Sequence, residues 1–222
     1  MNKALKALPQ FVYATDRVRL GKVRTMALYH DLINAFRFGH RAPRFAERIY
    51  VNLSPDFLSL GHTHQLVGRV VTKWPPEPRH GMYRFTGSEP FVSCRLHWEQ
   101  GVPWEETALI DKALKAIAKH GVRDGCRTRG EVLARYQRLD ALYEQAKAER
   151  RLRPRAELDV VGFREWLGIC FHVGPGGELV FGRMGQHRLA VAFILGIDRI
   201  PAMLGAIHSD ALPLLPALRM PQ

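Results

Sequence analysis

The sequence is short of cysteine, of acidic residues and of long apolar runs, and each shortage excludes a class of protein. Its three cysteines, Cys94, Cys126 and Cys170, are widely spaced and odd in number, so they form neither a disulfide framework nor a zinc-ligand pattern. No stretch approaches the roughly 18 apolar residues of a membrane span, and the N-terminal stretch lacks a signal-peptide core. We therefore expect a cytoplasmic protein without membrane contact.

Positive charge is what the sequence has in excess. It contains 33 Lys and Arg residues against 21 Asp and Glu, which gives a formal net charge of +12. Ten of the basic residues and only three acidic ones fall within residues 1–50. A basic balance of this size favours a polyanion or a phosphate-bearing partner.

The hydrophobic patterns predict an α+β protein whose small mixed sheet is surrounded by helices. We predict helices at 16–38, 103–121 and 128–151, strands at 48–53, 66–72 and 202–207, and a hairpin across 169–181. Neither an internal repeat nor a low-complexity segment interrupts them. The domain prediction is a basic helical extension over 1–40, one domain over 41–210 with a helical insertion at about 103–151, and a tail over 211–222.

The stretch GRMGQHRLAVAFILGIDRIPAML, residues 182–204, contains the strongest functional signal. Its segment 189–195 is apolar on every side and predicts a buried helix ended by Gly196. The N-terminus of a helix carries partial positive charge and normally attracts acidic side chains. Here the first turn holds Gln186, His187 and Arg188 instead, directly after Gly185. An anion bound at this 185–188 turn would resolve the conflict.

A purely structural interpretation of the same residues stays open. In it, Arg188 pairs with a carboxylate elsewhere in the fold and His187 is an ordinary core histidine. Because glycine, histidine and arginine occur together between a strand and a buried helix, we favour binding of a phosphate or carboxylate. The planar fork of arginine suits phosphate oxygens.

The stretch 178–201, ELVFGRMGQHRLAVAFILGIDRIP, resembles the signature of the ParB/sulfiredoxin superfamily, in which glycine, a variable residue and His-Arg open an alanine-rich helix. The upstream stretch 42–55, APRFAERIYVNLSP, is similar to the strand and proline turn that begin such domains. The resemblance implies a ParB/sulfiredoxin-like fold that binds nucleotide phosphates at Gly185, Gln186, His187 and Arg188. It implies ATP or another nucleoside triphosphate with Mg²⁺ as the cofactor, and kinase or NTPase activity.

The chain departs from this signature at two chemically important positions. Sulfiredoxin has its reactive cysteine where this chain has Gln186, so reduction of sulfinic acid is not expected. Partition CTPases have glutamate there, and many kinase-like relatives have aspartate where this chain has Met184. No catalytic residue is therefore assigned, and binding of a nucleotide or another phosphorylated small molecule is the firmer prediction.

Other candidate residues were weighed against ordinary structural roles. His62 and His64 could begin a metal site, but no third ligand follows by spacing, so no metal site is predicted. Cys170 is expected to be a buried, inert thiol. The remaining candidates are carboxylates that could assist a metal-bound nucleotide and aromatics that could stack a base but are more typical of a core: Asp159, Glu165 and Glu178, and Phe85, Phe91, Trp98, Trp104 and Trp166.

Two other functions compete with nucleotide binding. The net charge and the basic extension are compatible with a non-enzymatic, ParB-like protein associated with DNA or RNA, whose affinity would fall steeply with salt. No helix-turn-helix pair with a basic recognition helix is evident, so this hypothesis ranks second. A domain that acts only through protein–protein contact is the third.

Overall fold

The structure, a computed structural model, describes residues 14–59, 66–74, 83–158 and 163–221, with side chains from residue 20 onward. Seven α-helices and a mixed sheet of seven strands make up these residues, which confirms the α+β class. None of the described helices is long and apolar enough to cross a membrane. The helices are α1 (Ala14–Phe38), α2 (Glu89–Gln100), α3 (Ala108–His120), α4 (Arg129–Glu149), α5 (Arg155–Leu158), α6 (Gln186–Ile194) and α7 (Leu215–Leu218). The strands are β1 (Arg48–Asn52), β2 (Leu58–Ser59), β3 (Val70–Val71), β4 (Tyr83–Arg84), β5 (Cys170–Val173), β6 (Leu179–Phe181) and β7 (Arg199–His208).

Strand β7 is the central strand of the sheet and pairs with β1, β5 and β3. The strand order is β1-β7-β5-β6-β2-β4, and β3 pairs with the end of β7 beside this path. The β5–β6 pair is antiparallel, which confirms the predicted hairpin, whereas β5 and β7 are parallel. The strand predicted at 66–72 is mostly turn, and only Val70–Val71 pairs with β7.

Helix α6 is embedded in the main core, as its sequence predicted. Leu189, Ala190, Val191 and Ala192 are fully buried, and α6 packs against α2 and α4. Gly196 follows with a left-handed φ of 62°. Burial on all sides fixes the position of the helix, and therefore also the position of its N-terminal turn.

The helices predicted at 103–121 and 128–151 are present as α3 and α4. Gly121 ends α3 in a left-handed conformation, and Thr128 and Glu131 form a capping box at the start of α4. Val132 and Tyr136 bury one stripe of α4 in the core. The sequence patterns missed α2, whose start is fixed by Ser88 accepting a hydrogen bond from the Phe91 amide.

Both ends of the described chain pack on the domain. The Asn34 side chain of α1 donates to the carbonyls of Pro43 and Gly68 at 2.8 and 2.9 Å. The segment that the sequence set apart as a tail contains α7, whose Leu215 is fully buried. Just beyond α7, Arg219 Nε donates to Glu47 Oε1 at 2.6 Å.

Candidate functional site

The turn before α6 is a backbone structure with two left-handed residues. Arg183 has a φ of 60° and Gly185 one of 78°. The Cys170 amide donates to the Met184 carbonyl at 3.1 Å, and the Gly182 amide donates to the Cys170 carbonyl at 2.8 Å. These two bonds hold the turn against the start of β5.

Only glycine fits at position 185. A Cβ there would lie 2.7 Å from the Ile169 Cα and 2.9 Å from its nitrogen, and both atoms belong to backbone. The left-handed φ adds a conformational penalty for any other residue. Gly185 thus allows the backbone of Ile169, just before β5, to approach, so that this segment fixes where α6 begins.

The first turn of α6 has no acidic residue, and its N-cap Gly185 offers no side-chain acceptor. The first amides of a helix have no partner within the helix and point out of its N-terminus. The partial positive charge of this end is therefore not balanced by the residues of its own turn. This geometry suits a bound anion.

His187 lies in this turn as a neutral ring. Burial, and then the nearby charge of Arg135, lower the pKa of His187 to about 4. The His187 ring therefore does not add to the positive charge of the helix end. Its ring packs edge-on against Tyr136, with centroids 5.5 Å apart, and within the described residues its Nε2 has no hydrogen-bond partner. His187 can offer a hydrogen bond but no charge near neutral pH.

Arg188 has partners inside the protein. Its side chain is only 7% exposed, and its Nη2 donates to the Arg153 carbonyl at 2.6 Å. It also interacts electrostatically with the fully buried Glu165, together with Arg48, whose Nε lies 3.3 Å from Glu165 Oε2. Arg188 therefore has internal partners, at its Nη2 atom and through the charge of Glu165, in agreement with the purely structural interpretation of this residue.

The 185–188 turn opens into a large cleft of about 2170 Å³ between α4, α5 and the β4–α2 connection. Gln186 and His187 are partly exposed there. Basic side chains outnumber acidic ones along its walls by nine to five, so the cleft carries excess positive charge. The basic ones are Arg84, Lys112, Arg123, Arg135, Arg138, Arg153, Arg155, Arg183 and Arg188, and the acidic ones are Glu89, Asp124, Glu144, Glu149 and Glu157.

Several of these charges are already paired. Lys112 pairs with Glu89 at 3.2 Å, Arg123 with Asp124 at 3.3 Å, and Arg153 with Glu149. Among the described residues, three cleft arginines form no ion pair: Arg135, Arg138 and Arg183.

Arg183 has the most constrained position of the three. Its guanidinium lies 5.8 Å from the Tyr83 ring centroid, and its buried Nε has no hydrogen-bond partner in the described part of the chain.

Comparisons of the chain with protein-family models, with curated proteins and with solved structures return no match. The resemblance of the 178–201 stretch to the ParB/sulfiredoxin superfamily therefore stays a prediction. The site has to be interpreted from its own geometry.

Sequence reasoning missed the part of the site that lies on α4. In the sequence, Glu131 lies four residues before Arg135, a spacing that favours an ion pair on a solvated face of mixed charge. In the structure the Glu131 carboxylate instead accepts the Arg127 and Thr128 amides, at 2.5 and 3.2 Å. The capping-box pattern Thr128-x-x-Glu131 could have shown this, because it predicts that Glu131 accepts a backbone amide instead of pairing with Arg135.

The aromatic candidates are core residues. Phe85, Phe91 and Trp104 are buried, Trp98 packs beside them, and Trp166 stacks on Phe45 with centroids 5.2 Å apart. The indole groups of Trp98 and Trp104 are occupied, since both donate to Asp140 Oδ1 at 3.0 Å. None of these rings lines the described walls of the cleft.

The remaining candidates lie apart from the cleft or outside the described residues. Cys170 is buried, which raises the pKa of its thiol to about 12 and makes it inert, as predicted. Glu178 is exposed at the hairpin, where it accepts the Gly176 amide at 2.9 Å. Burial raises the pKa of Glu165, which packs against Gly168. The described residues include no group of three potential metal ligands, and His62, His64 and Asp159 lie outside them.

Proposed function

We propose that this protein binds the phosphates of a nucleotide in the cleft at the 185–188 turn, as the resemblance to the ParB/sulfiredoxin superfamily implies. The proposal rests on one observation: two sources of positive charge, each without a negative partner, lie in the same cleft. The N-terminus of α6 has no acidic residue in its first turn, and Arg135, Arg138 and Arg183 line the same cleft without ion pairs among the described residues. A phosphate chain supplies negative oxygens to both.

Each group has a separate role in this proposal. The first amides of α6 bind one phosphate through backbone hydrogen bonds and the helix dipole. Arg183 and Arg135 supply charge-assisted bonds to the remaining oxygens, and neutral His187 contributes one hydrogen bond. Arg188 positions the turn through the Arg153 carbonyl. The cofactor in this proposal is ATP or another nucleoside triphosphate, with Mg²⁺ held mainly by phosphate oxygens, as is usual for this ion.

Kinase or NTPase turnover is a further part of the proposal, for which the chain offers no assigned base. Glu165 is fully buried, and its Oε1 accepts the Arg155 amide at 2.7 Å. It therefore acts as a structural partner of the arginines rather than as a group in contact with a ligand. Binding and turnover should accordingly be measured separately.

The test is direct binding of ATP, CTP, GTP and UTP, with and without Mg²⁺, to the wild type and to the double variant Arg135→Gln/Arg138→Gln. The variant should bind at least about tenfold more weakly, because each charge-assisted bond is worth roughly 1.5–3 kcal/mol. Arg129→Gln is the matched control, since Arg129 is exposed on the same helix and does not line the cleft. Unchanged affinity in the double variant, or equal losses in the control, would refute the site.

Arg188→Ala answers a different question. It removes a buried side chain with internal partners, so loss of binding in this variant is informative only beside a thermal unfolding curve. If Arg188→Ala folds with an unchanged Tm and binds nucleotide normally, Arg188 has no part in holding the turn.

Because the cleft is large, association with DNA or RNA is a second candidate function. Small-molecule pockets have volumes of about 300–1,000 Å³, and this cleft of about 2170 Å³ is larger. A short oligonucleotide would add phosphate contacts along α4, and its affinity would then fall steeply with salt. Deleting residues 1–40 would remove the Asn34 hydrogen bonds of α1, so the comparison should use the arginine variants. A shallow salt slope would exclude this candidate.

A further inference from the structure

Helix α1 exposes an unusual amount of apolar surface. Its side chains provide six of the eleven most exposed large apolar residues in the described part of the chain: Met26, Leu28, Tyr29, Leu32, Ile33 and Phe36. Phe36 is 94% exposed. The spacing of three and four residues places them on one side of the helix. We call this side the outer face of α1.

The opposite side of α1 is already used. Ala27 is buried, Asn34 donates to two backbone carbonyls, and Asp31 accepts the Phe45 amide at 2.7 Å. The outer face therefore does not result from an undocked helix. Thr25 lies on the same side, and its hydroxyl donates to the Gly21 carbonyl at 3.1 Å. Lys22 continues this side one turn before Met26. The outer face can thus lose water at little polar cost.

A groove runs beside the outer face. Leu28, Leu32 and Ala35 form the apolar part of the wall of a cavity of about 630 Å³. Its other walls include Gly39 and Pro43 and five charged side chains: Asp31, Arg44, Glu47, Arg164 and Arg219. Four of these charges are already paired, Asp31 with Arg164 and Glu47 with Arg219. One helix therefore presents both a protruding aromatic ring, Phe36, and a recess one to two turns before it.

We propose that the outer face of α1 is the interface of a symmetric homodimer. In the proposed dimer the two α1 helices pack antiparallel about a two-fold axis near Ile33. Such an axis brings Phe36 of each copy opposite the recess between Leu28 and Leu32 of the other. The six side chains expose roughly 700 Å² per copy, and a stable interface buries about 800 Å² per partner. A second copy of this chain carries the same protruding Phe36, the same recess and an apolar surface of equal area, so it can cover the outer face.

Charge placement agrees with the antiparallel arrangement. Lys22 lies one turn before Met26, Arg24 lies two residues before it, and Arg37 directly follows Phe36. An axis near Ile33 keeps the Lys22 side chains of the two copies near opposite ends of the interface. Asp31 is already paired with Arg164 at 2.5 Å, so it brings no unpaired carboxylate to the contact.

The test is the mass of the full chain in solution, by light scattering and sedimentation over a wide range of concentration. The wild type should have the mass of two 25.3 kDa chains. Phe36→Glu should weaken the dimer roughly a hundredfold or more, because the symmetry introduces the charge twice in the interface. Val122→Glu places the same charge on an exposed apolar residue far along the chain, and it should stay dimeric.

Other results would overturn the proposal. A wild type that stays monomeric at every concentration means that something else covers the outer face, and binding of that monomer to anionic lipid vesicles would identify a membrane surface instead. A dimer that persists in Phe36→Glu has its interface elsewhere. Thermal unfolding of Phe36→Glu checks that the variant is folded, and Leu28→Glu repeats the test at the recess.

A cross-linking variant gives a second readout. All three natural cysteines are buried, so Ile33→Cys introduces the one accessible thiol. A short bis-maleimide should join two chains through this thiol, and the Phe36→Glu change should abolish the product. A control thiol at Val122→Cys should give no cross-linked pair. Equal cross-linking at both positions would indicate random collision and refute the proposed axis.

Discussion

The substitution Gly185→Ala tests how the 185–188 turn is held. Gly185 has a φ of 78°, and alanine in this conformation costs about 1–2 kcal/mol. The added Cβ would also lie 2.7 Å from the Ile169 Cα, where no flexible side chain can move aside. Relieving such an overlap in a packed region costs typically 1–3 kcal/mol. We therefore expect a loss of about 2–5 kcal/mol in the free energy of unfolding.

Helix α6 supplies a matched control at its other end. Gly196 is also left-handed, with a φ of 62°, but a Cβ there would meet nothing within 4 Å. Gly196→Ala should cost only the conformational term of about 1–2 kcal/mol. The difference between the two variants isolates the close approach of β5 to the turn.

Urea unfolding followed by circular dichroism measures both variants under the same conditions. A domain of this size has a total stability on the order of 5–15 kcal/mol, so Gly185→Ala should move the midpoint visibly while leaving a folded population. Equal destabilisation by the two substitutions would refute the argument that backbone contact with Ile169 requires glycine at position 185.

The other predictions concern two polar groups, the buried His172 and the partly exposed Asp140. Burial lowers the pKa of His172 to about 4, so the unfolded chain takes up the proton first and the free energy of unfolding should fall by about 3 kcal/mol as the pH falls from 6.5 to 4. His172→Gln keeps an acceptor for the Ala206 amide and should flatten this decline, and an unchanged slope would contradict the assignment. Asp140→Ala leaves the indole donors of Trp98 and the buried Trp104 without their acceptor and should cost about 1–3 kcal/mol in chemical unfolding. Glu144→Ala, exposed on the same helix, should cost under about 0.5 kcal/mol, and similar losses in the two variants would contradict a structural role of the Asp140 carboxylate.

Elements with strong local signals were predictable from the sequence. Gly-Pro-Gly-Gly between two apolar strands gave the β5–β6 hairpin, and Gly121 and Thr128 marked the boundaries of α3 and α4. These features depend on residues close together in the chain. Helix α2 was missed because its apolar residues, Phe91, Val92, Cys94, Leu96 and Trp98, do not recur at a clear helical spacing.

The site was only partly predictable for the same physical reason. The 185–188 turn is local, so its glycine and its uncapped helix end could be inferred from adjacent residues. The contributions of Arg135 and Arg138 depend on α4 packing beside α6, a contact between segments about 50 residues apart. No pattern within either segment identifies that contact.

In the sequence, the 185–188 turn placed His187 and Arg188 at the positive end of a helix, and the structure gives a separate explanation for each residue. Arg188 lies at the helix end for an internal reason, because it binds the Arg153 carbonyl and helps to balance the buried charge of Glu165. His187 adds no charge, since burial and its neighbour Arg135 keep its ring neutral.

Under the proposed function, the charges that pair with a bound anion are therefore not those of His187 and Arg188. Arg183 comes from the turn itself, and Arg135 and Arg138 come from α4, all three lining the cleft into which the 185–188 turn opens. In the proposed function a bound anion offsets the cost of placing these positive charges in the same cleft as the N-terminus of α6.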